Sequence, residues 1–236
     1  MKLIVGNFKM NLLDNEVDEY VDFFKEKNYS NVYFAPSFIY LSKFVNNNLV
    51  AVSQDVSSYA NGAYTGDVSA QELKSMGVNY SIVGHSERRK YYHDSKLVNE
   101  KIKRLLEEEM IPILCIGETR EERDNNKEIE VIESELDEAF KDIDNNLIAN
   151  IIIAYEPIWS IGTGIVPINE EIEEIILHIK RYVKSKYLVD VKVLYGGSVN
   201  NKCIGELEKI DIVDGYLVGG CSLKYLDFDL LINSIK

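Results

Sequence analysis

Eight short apolar runs recur along the chain, at Leu3–Val5, Val32–Ala35, Val50–Val52, Ser81–Val83, Ile111–Ile116, Ile151–Ala154, Val191–Leu194 and Gly215–Val218. Runs this short, rich in Val and Ile, read as strands buried on both faces, and buried parallel strands need a crossover element between them. Polar stretches with apolar residues at three- and four-residue spacing supply it. Ile172, Ile175, Ile176, Ile179 and Val183, ahead of the seventh run, mark one stripe of an amphipathic helix. Strand and helix alternate, which demands a parallel α/β sheet. Eight repeats match a closed (β/α)8 barrel, and an open doubly wound sheet is the other arrangement with this period. A length of 236 residues suits one such domain, so a single domain over 1–236 is expected.

Composition narrows the partners. A formal charge of -13 repels nucleic acid and anionic membrane at long range. An anionic small substrate would therefore need a local positive site. The apolar segment at the amino terminus is too short for a secretion signal and far too short to span a bilayer, so a soluble cytoplasmic protein is expected. Cys115, Cys203 and Cys221 are odd in number and lack metal-ligand spacing, which reads as reduced structural thiols. The acidic stretch Glu118–Glu130 reads as an exposed loop running into a helix, with nothing that asks for a function.

In a barrel of this kind chemistry collects where strands end. Asn7 and Lys9 follow the first run, Gln54 the third, His85 the fourth, Glu118 the fifth and Glu156 the sixth. Glu156 opens a loop containing Pro157, which cannot continue a ladder, and Gly162 and Gly164, which free the backbone to approach a ligand. That pattern suggests a carboxylate base beneath a mobile lid that grips an anion. A carboxylate before proline is also ordinary loop chemistry. His85 sits where a helical turn begins, a place that disfavours imidazolium, and a neutral ring there can hydrogen-bond a carbonyl. A histidine satisfying loop carbonyls is the alternative. Lys9 is the local cation or a solvated surface lysine.

Gly196-Gly197-Ser198 and Gly219-Gly220 follow the last two runs and precede helical patterns. Backbone N–H groups at such turns bind phosphate without many cationic side chains. No acidic or histidine cluster has metal spacing, and no nucleotide-binding glycine motif opens a helix. Neither a metal nor a nucleotide cofactor is expected.

Seven ordered segments now carry a resemblance: Gly6-Asn7-Phe8-Lys9-Met10-Asn11, Gly62–Gly66, Gly84-His85-Ser86-Glu87-Arg88-Arg89, Cys115-Ile116-Gly117-Glu118, Ala154–Trp159, Tyr195-Gly196-Gly197-Ser198 and Leu217-Val218-Gly219-Gly220. Over essentially its whole length the chain resembles the triosephosphate isomerase family. The resemblance implies a (β/α)8 barrel that interconverts glyceraldehyde 3-phosphate and dihydroxyacetone phosphate in glycolysis and gluconeogenesis, without a cofactor. It implies Glu156 as the base, His85 as a neutral electrophile and Lys9 as the cation offsetting enediolate and phosphate charge, the roles known for that family. Asn7 would position substrate, and Gly162, Ser198, Gly219 and Gly220 would bind phosphate. Glu87 would hold Lys9, and Ser86 would help cap the turn that orients His85. A homodimer is implied, in which the Tyr59–Asp67 loop enters the partner and Thr65 supports the partner's Asn7 and the partner's Lys9.

The chain departs from the family at Ile165-Val166-Pro167, where a Lys-x-Ala pattern is common, and proline there fixes φ at the lid's second hinge. Other phosphate-binding barrels, aldolases or different sugar-phosphate isomerases, lack the seven ordered motifs. A catalytically silent phosphate-binding scaffold is the remaining alternative, which loss of Glu156, His85 or Lys9 would mark. All three residues are present.

Overall fold

A computed structural model describes residues 1–235. The eight runs are strands: β1 Leu3–Asn7, β2 Val32–Ala35, β3 Val50–Ser53, β4 Tyr80–Val83, β5 Ile111–Ile116, β6 Ile152–Tyr155, β7 Lys192–Tyr195 and β8 Gly215–Val218. Each pairs in parallel with the next, and β8 returns to β1 with Leu3 opposite Gly215 and Gly6 opposite Val218. The sheet is a closed barrel, so the open doubly wound alternative falls away.

Closure follows from burial on both faces. Leu3, Val5, Ala35, Val52, Ile82, Ile113, Cys115, Ile152, Ala154, Leu194 and Leu217 fill the barrel interior. The alternate residues, Ile4, Phe34, Val83, Leu114, Ile153 and Val193 among them, face outward and pack beneath the helices. A strand's period of two produces this division. The crossover helix Asn169–Tyr187 buries Ile172, Ile175, Ile176, Ile179 and Val183, the stripe that its spacing predicts. Its first turn carries Glu170 and Glu171 and its last turn Lys184 and Lys186, as the helix dipole favours. Among the described residues no helix is long and apolar enough to cross a membrane.

The acidic stretch after β5 differs from its sequence reading. Glu118 is fully buried. Its neighbours form a helix at Arg120–Asp124, capped by Thr119 and Glu122, before a second helix at Glu128–Phe140. Arg120, Glu121 and Asp124 are exposed, as charge composition suggests, but Glu118 belongs to the strand end and turns inward.

Candidate active site

Parallel strands in a closed ring deliver all eight carboxyl ends to one face, and the strand-end residues singled out above meet there. Asn7, Lys9, His85, Glu156, Gly162, Ser198, Gly219 and Gly220 line one cavity of about 430 Å³. Lys9 is the one lysine or arginine among the described lining residues. It stands in the left-handed region at φ 53, an uncommon place for a non-glycine residue. Four bonds hold it there: its N–H donates to Asn7 Oδ1 at 3.0 Å, its carbonyl accepts from Gln54 Nε2 at 2.8 Å and from Ser37 Oγ at 3.3 Å, and its Nζ reaches Glu87 Oε1 at 2.6 Å. The ammonium is thereby aimed, not merely present.

His85 caps the helix Ser86–Tyr92 with its own ring. Nδ1 accepts the backbone N–H of Glu87 at 3.2 Å. A ring nitrogen that accepts carries no proton, so the neutral ring keeps its proton on Nε2. That nitrogen lies 3.5 Å from Glu156 Oε1. The sequence reading gave part of this capping to Ser86. Ser86 is instead the first helical residue, and the His85 ring makes the cap because its Nδ1 reaches the second N–H of the turn.

Glu156 follows β6 directly, is 3 % exposed, and has Oε2 buried with no hydrogen-bond partner among the described residues. Its backbone N–H donates to Ile116 O at 2.8 Å, which extends the β5 ladder past the end of the strand. Two glycines press on it from the flanking strands. A Cβ on Gly117 would lie 1.9 Å from the Glu156 carbonyl oxygen, and one on Gly196 would lie 2.8 Å from Glu156 Cγ. Cys115, in the barrel interior, completes the enclosure: burial first, then the neighbouring Glu156 carboxylate, push its thiol well above the ordinary range. A buried carboxylate with a free oxygen, facing an Nε2–H and a held ammonium, can take a proton from carbon while the other two groups stabilise charge on oxygen.

The loop after Glu156 is anchored at its base and free at its tip. Trp159 Nε1 donates to Glu118 Oε1 at 2.8 Å, and the Tyr155 hydroxyl donates to Glu118 Oε2 at 3.2 Å. Burial raises the Glu118 carboxyl, while the Trp159 N–H opposes it. Gly162 and Gly164 have φ 69 and 77, and a side chain at either would meet nothing within 4 Å.

The two glycine pairs after β7 and β8 differ from one another. Gly219-Gly220 opens a 3₁₀ turn at Gly220–Leu223, so backbone N–H groups do begin a helical segment there. After β7 the helix begins only at Ile204, and Gly196-Gly197-Ser198 is a loop whose Ser198 hydroxyl donates to Ser160 O at 2.7 Å.

A family model described as Triosephosphate isomerase matches residues 2–235. This chain belongs to the triosephosphate isomerase family. A relative named triosephosphate isomerase from Alkaliphilus oremlandii is 40% identical over 243 residues, covering 98% of each chain. The one from Mycoplasmoides gallisepticum is also 40% identical, over 246 residues covering 99% of this chain and 98% of its own. A third, from Flavobacterium psychrophilum, is 37% identical and covers 99% of both. The chain is accordingly an isomerase with the (β/α)8 barrel of its family.

Thr65 lies apart from the cavity, in the exposed segment after β3. Close by in that segment Tyr59 and Tyr64 stack at 4.1 Å and are 49% and 44% exposed. Sequence reasoning missed Gly117 and Gly196 as walls of the Glu156 site and read Cys115 as purely structural. The signal available was position alone: all three stand at the ends of strands flanking β6.

Proposed function

We propose that this chain interconverts glyceraldehyde 3-phosphate and dihydroxyacetone phosphate through an enediolate, as a cytoplasmic enzyme of glycolysis and gluconeogenesis. Glu156 takes the proton from the carbon beside the carbonyl, and that electron pair forms the double bond of the enediolate. The Nε2–H of His85 meets the charge developing on the carbonyl oxygen and moves protons between the two oxygens. Glu156 then returns the proton to the neighbouring carbon. Lys9, held by Glu87, offsets enediolate and phosphate charge in a protein whose overall charge is negative, and Asn7 positions substrate. Gly162, Ser198, Gly219 and Gly220 supply phosphate-binding N–H groups, and the loop from Pro157 to Pro167 closes over them. Closure keeps water from the enediolate and favours isomerisation over loss of phosphate.

The observation that carries this reading is the Glu156 carboxylate, buried with Oε2 unpartnered and 3.5 Å from the His85 nitrogen that keeps its proton. A structural carboxylate in that setting would have both oxygens bonded. The working unit is a homodimer, supported by the exposed Tyr59–Tyr64 stack and by Met10, 92% exposed beside the Lys9 turn. Thr65 then supports the partner's Asn7 and the partner's Lys9. The test is steady-state isomerisation of both trioses, without added metal or nucleotide, by wild type and Glu156→Gln. Wild type should turn over and the variant should fall by roughly 10²- to 10⁴-fold in kcat. A folded, dimeric wild type without activity would sink the reading.

A further inference from the structure

The 3₁₀ turn Gly220–Leu223 is held from behind by a residue of the first helix. In that helix, Asp14–Phe24, the buried positions are Val17, Tyr20, Val21 and Phe24, an apolar stripe whose one polar side-chain atom is the Tyr20 hydroxyl. Tyr20 is 1% exposed, and its ring packs among others, with centroids 4.6 Å from Phe8 and 5.1 Å from Phe24. Its hydroxyl reaches out of this aromatic cluster and donates to the Ser222 carbonyl at 2.8 Å, across 202 residues of chain. Burial, then Cys221 of the same turn, push the phenol well above its ordinary range, so the hydroxyl keeps the proton that it donates.

Ser222 is fully buried, and its other polar groups are spent inside the turn. Its N–H donates to Gly219 O at 2.8 Å, and its Oγ donates to the same oxygen at 2.7 Å. Bonds within a 3₁₀ turn are poorly aligned, and a buried carbonyl needs a donor, so the tie to Tyr20 matters to the turn as a whole. The opposite end of the turn is different. Among the described residues the N–H groups of Gly219 and Gly220 have no acceptor, and both glycines line the cavity. A Cβ on Gly219 would lie 3.5 Å from Lys9 Cε, so the turn also lies against the cation. Phe8, which Tyr20 touches, stands between Asn7 and Lys9 in the chain. One buried tyrosine therefore contacts both the turn and the segment that carries Lys9.

We propose that Tyr20 is a positioning residue for the substrate's phosphate. It lies outside the cavity, satisfies the carbonyl end of the turn, and thereby fixes where the free N–H groups of Gly219 and Gly220 point. The inference rests on the isomerase reading above and adds to it a residue that sets affinity for the phosphate group alone.

The experiment compares wild type, Tyr20→Phe and Tyr29→Phe. Tyr20→Phe removes the hydroxyl and keeps the ring among its aromatic neighbours, so it should fold. Tyr29→Phe is the control: its hydroxyl donates to Asp229 Oδ1 at 2.7 Å on the helix Tyr225–Asn233, in the same corner of the molecule but away from the turn. For each protein kcat/KM is measured with glyceraldehyde 3-phosphate and with glyceraldehyde, which lacks the phosphate. The Kd of glycerol 3-phosphate is read from the fluorescence of Trp159, the sole tryptophan. In Tyr20→Phe, kcat/KM for glyceraldehyde 3-phosphate should fall and the Kd should rise, each about three- to tenfold, while glyceraldehyde is turned over as by wild type. Tyr29→Phe should move none of these. An equal loss on both substrates would make Tyr20 a general support of the site and overturn the proposal. So would an unchanged Kd, an equal effect of Tyr29→Phe, or a Tyr20→Phe that does not fold. A wild type that binds glycerol 3-phosphate but isomerises nothing fails the isomerase reading instead, and the Kd comparison still judges Tyr20.

Discussion

Two glycine pairs stand on adjacent loops of this active face and are glycine for opposite reasons. Gly162 and Gly164, in the lid after β6, have positive φ and open space around them. Gly196 and Gly197, after β7, need no left-handed backbone but have no room, because a Cβ on either would meet a neighbour at 2.8 Å or less. The first pair is there for conformation and the second for close approach. One loop has open space around its glycines. The other, with Gly117 after β5, forms a tight wall that fixes where Glu156 can lie.

The sharpest way to break this distinction is to add a methyl group to each kind. Gly117→Ala drives a Cβ to 1.9 Å from the Glu156 carbonyl oxygen, a backbone atom with no rotamer to escape into. Unfolding or nearly complete loss of activity is expected. Gly196→Ala meets the Glu156 side chain at 2.8 Å, so the fold should survive with the base displaced. A drop of about 10²-fold in kcat, with a near-normal circular dichroism spectrum, would fit a base moved by about an ångström. If Gly196→Ala retains wild-type kcat, the tight-wall account is wrong.

Gly162→Ala should act more mildly and by another route. Its Cβ meets nothing, but the left-handed backbone costs an alanine about 1–2 kcal/mol, paid wherever the lid keeps φ near 69. A several-fold change shared between kcat and KM is expected, with the thermal midpoint lowered by no more than several degrees. Destabilisation as large as that of Gly117→Ala would mean that the lid is part of the core.

The effect confined to one pH range concerns what anchors the wall. Glu135, on the helix Glu128–Phe140, accepts the Gly117 N–H at 2.9 Å and faces Arg89 at 3.3 Å. Burial raises its carboxyl from 4.5 to about 7, with Arg89 opposing the shift. Because the folded protein holds this proton more tightly than the unfolded chain, the associated stability is fully present below 4.5. It is lost as pH rises through about 7, by up to about 3 kcal/mol. Glu135→Gln should flatten that part of the pH profile, which thermal unfolding at pH 5 and pH 8 would reveal. An unchanged difference between the two pH values would remove Glu135 from the account.

The legible part of the site followed from strand ends. Glu156, His85 and Lys9 each stand just past an apolar run, and a closed parallel barrel brings such positions together whatever their separation in the chain. Glu118 was legible in position but not in character, since an acidic residue in an acidic stretch gives no hint that Tyr155 of the next strand and Trp159 of the loop after it will bond it. The resemblance gave Ser86 a share in capping the turn. The His85 ring takes it, a choice set by where the strand aims the imidazole.

What the sequence determined by itself is periodic or positional. The alternation of eight buried strands with amphipathic stripes, the apolar face of the Asn169–Tyr187 helix and the loops that carry the polar residues are all local patterns of period two or 3.6. What only the tertiary structure decided is contact between neighbours that no period relates. The pressure of Gly117 and Gly196 on Glu156 and the thiol of Cys115 beside that carboxylate both belong to this class. Each depends on register between strands and on side-chain direction to within an ångström, and close packing fixes those only when the whole barrel closes.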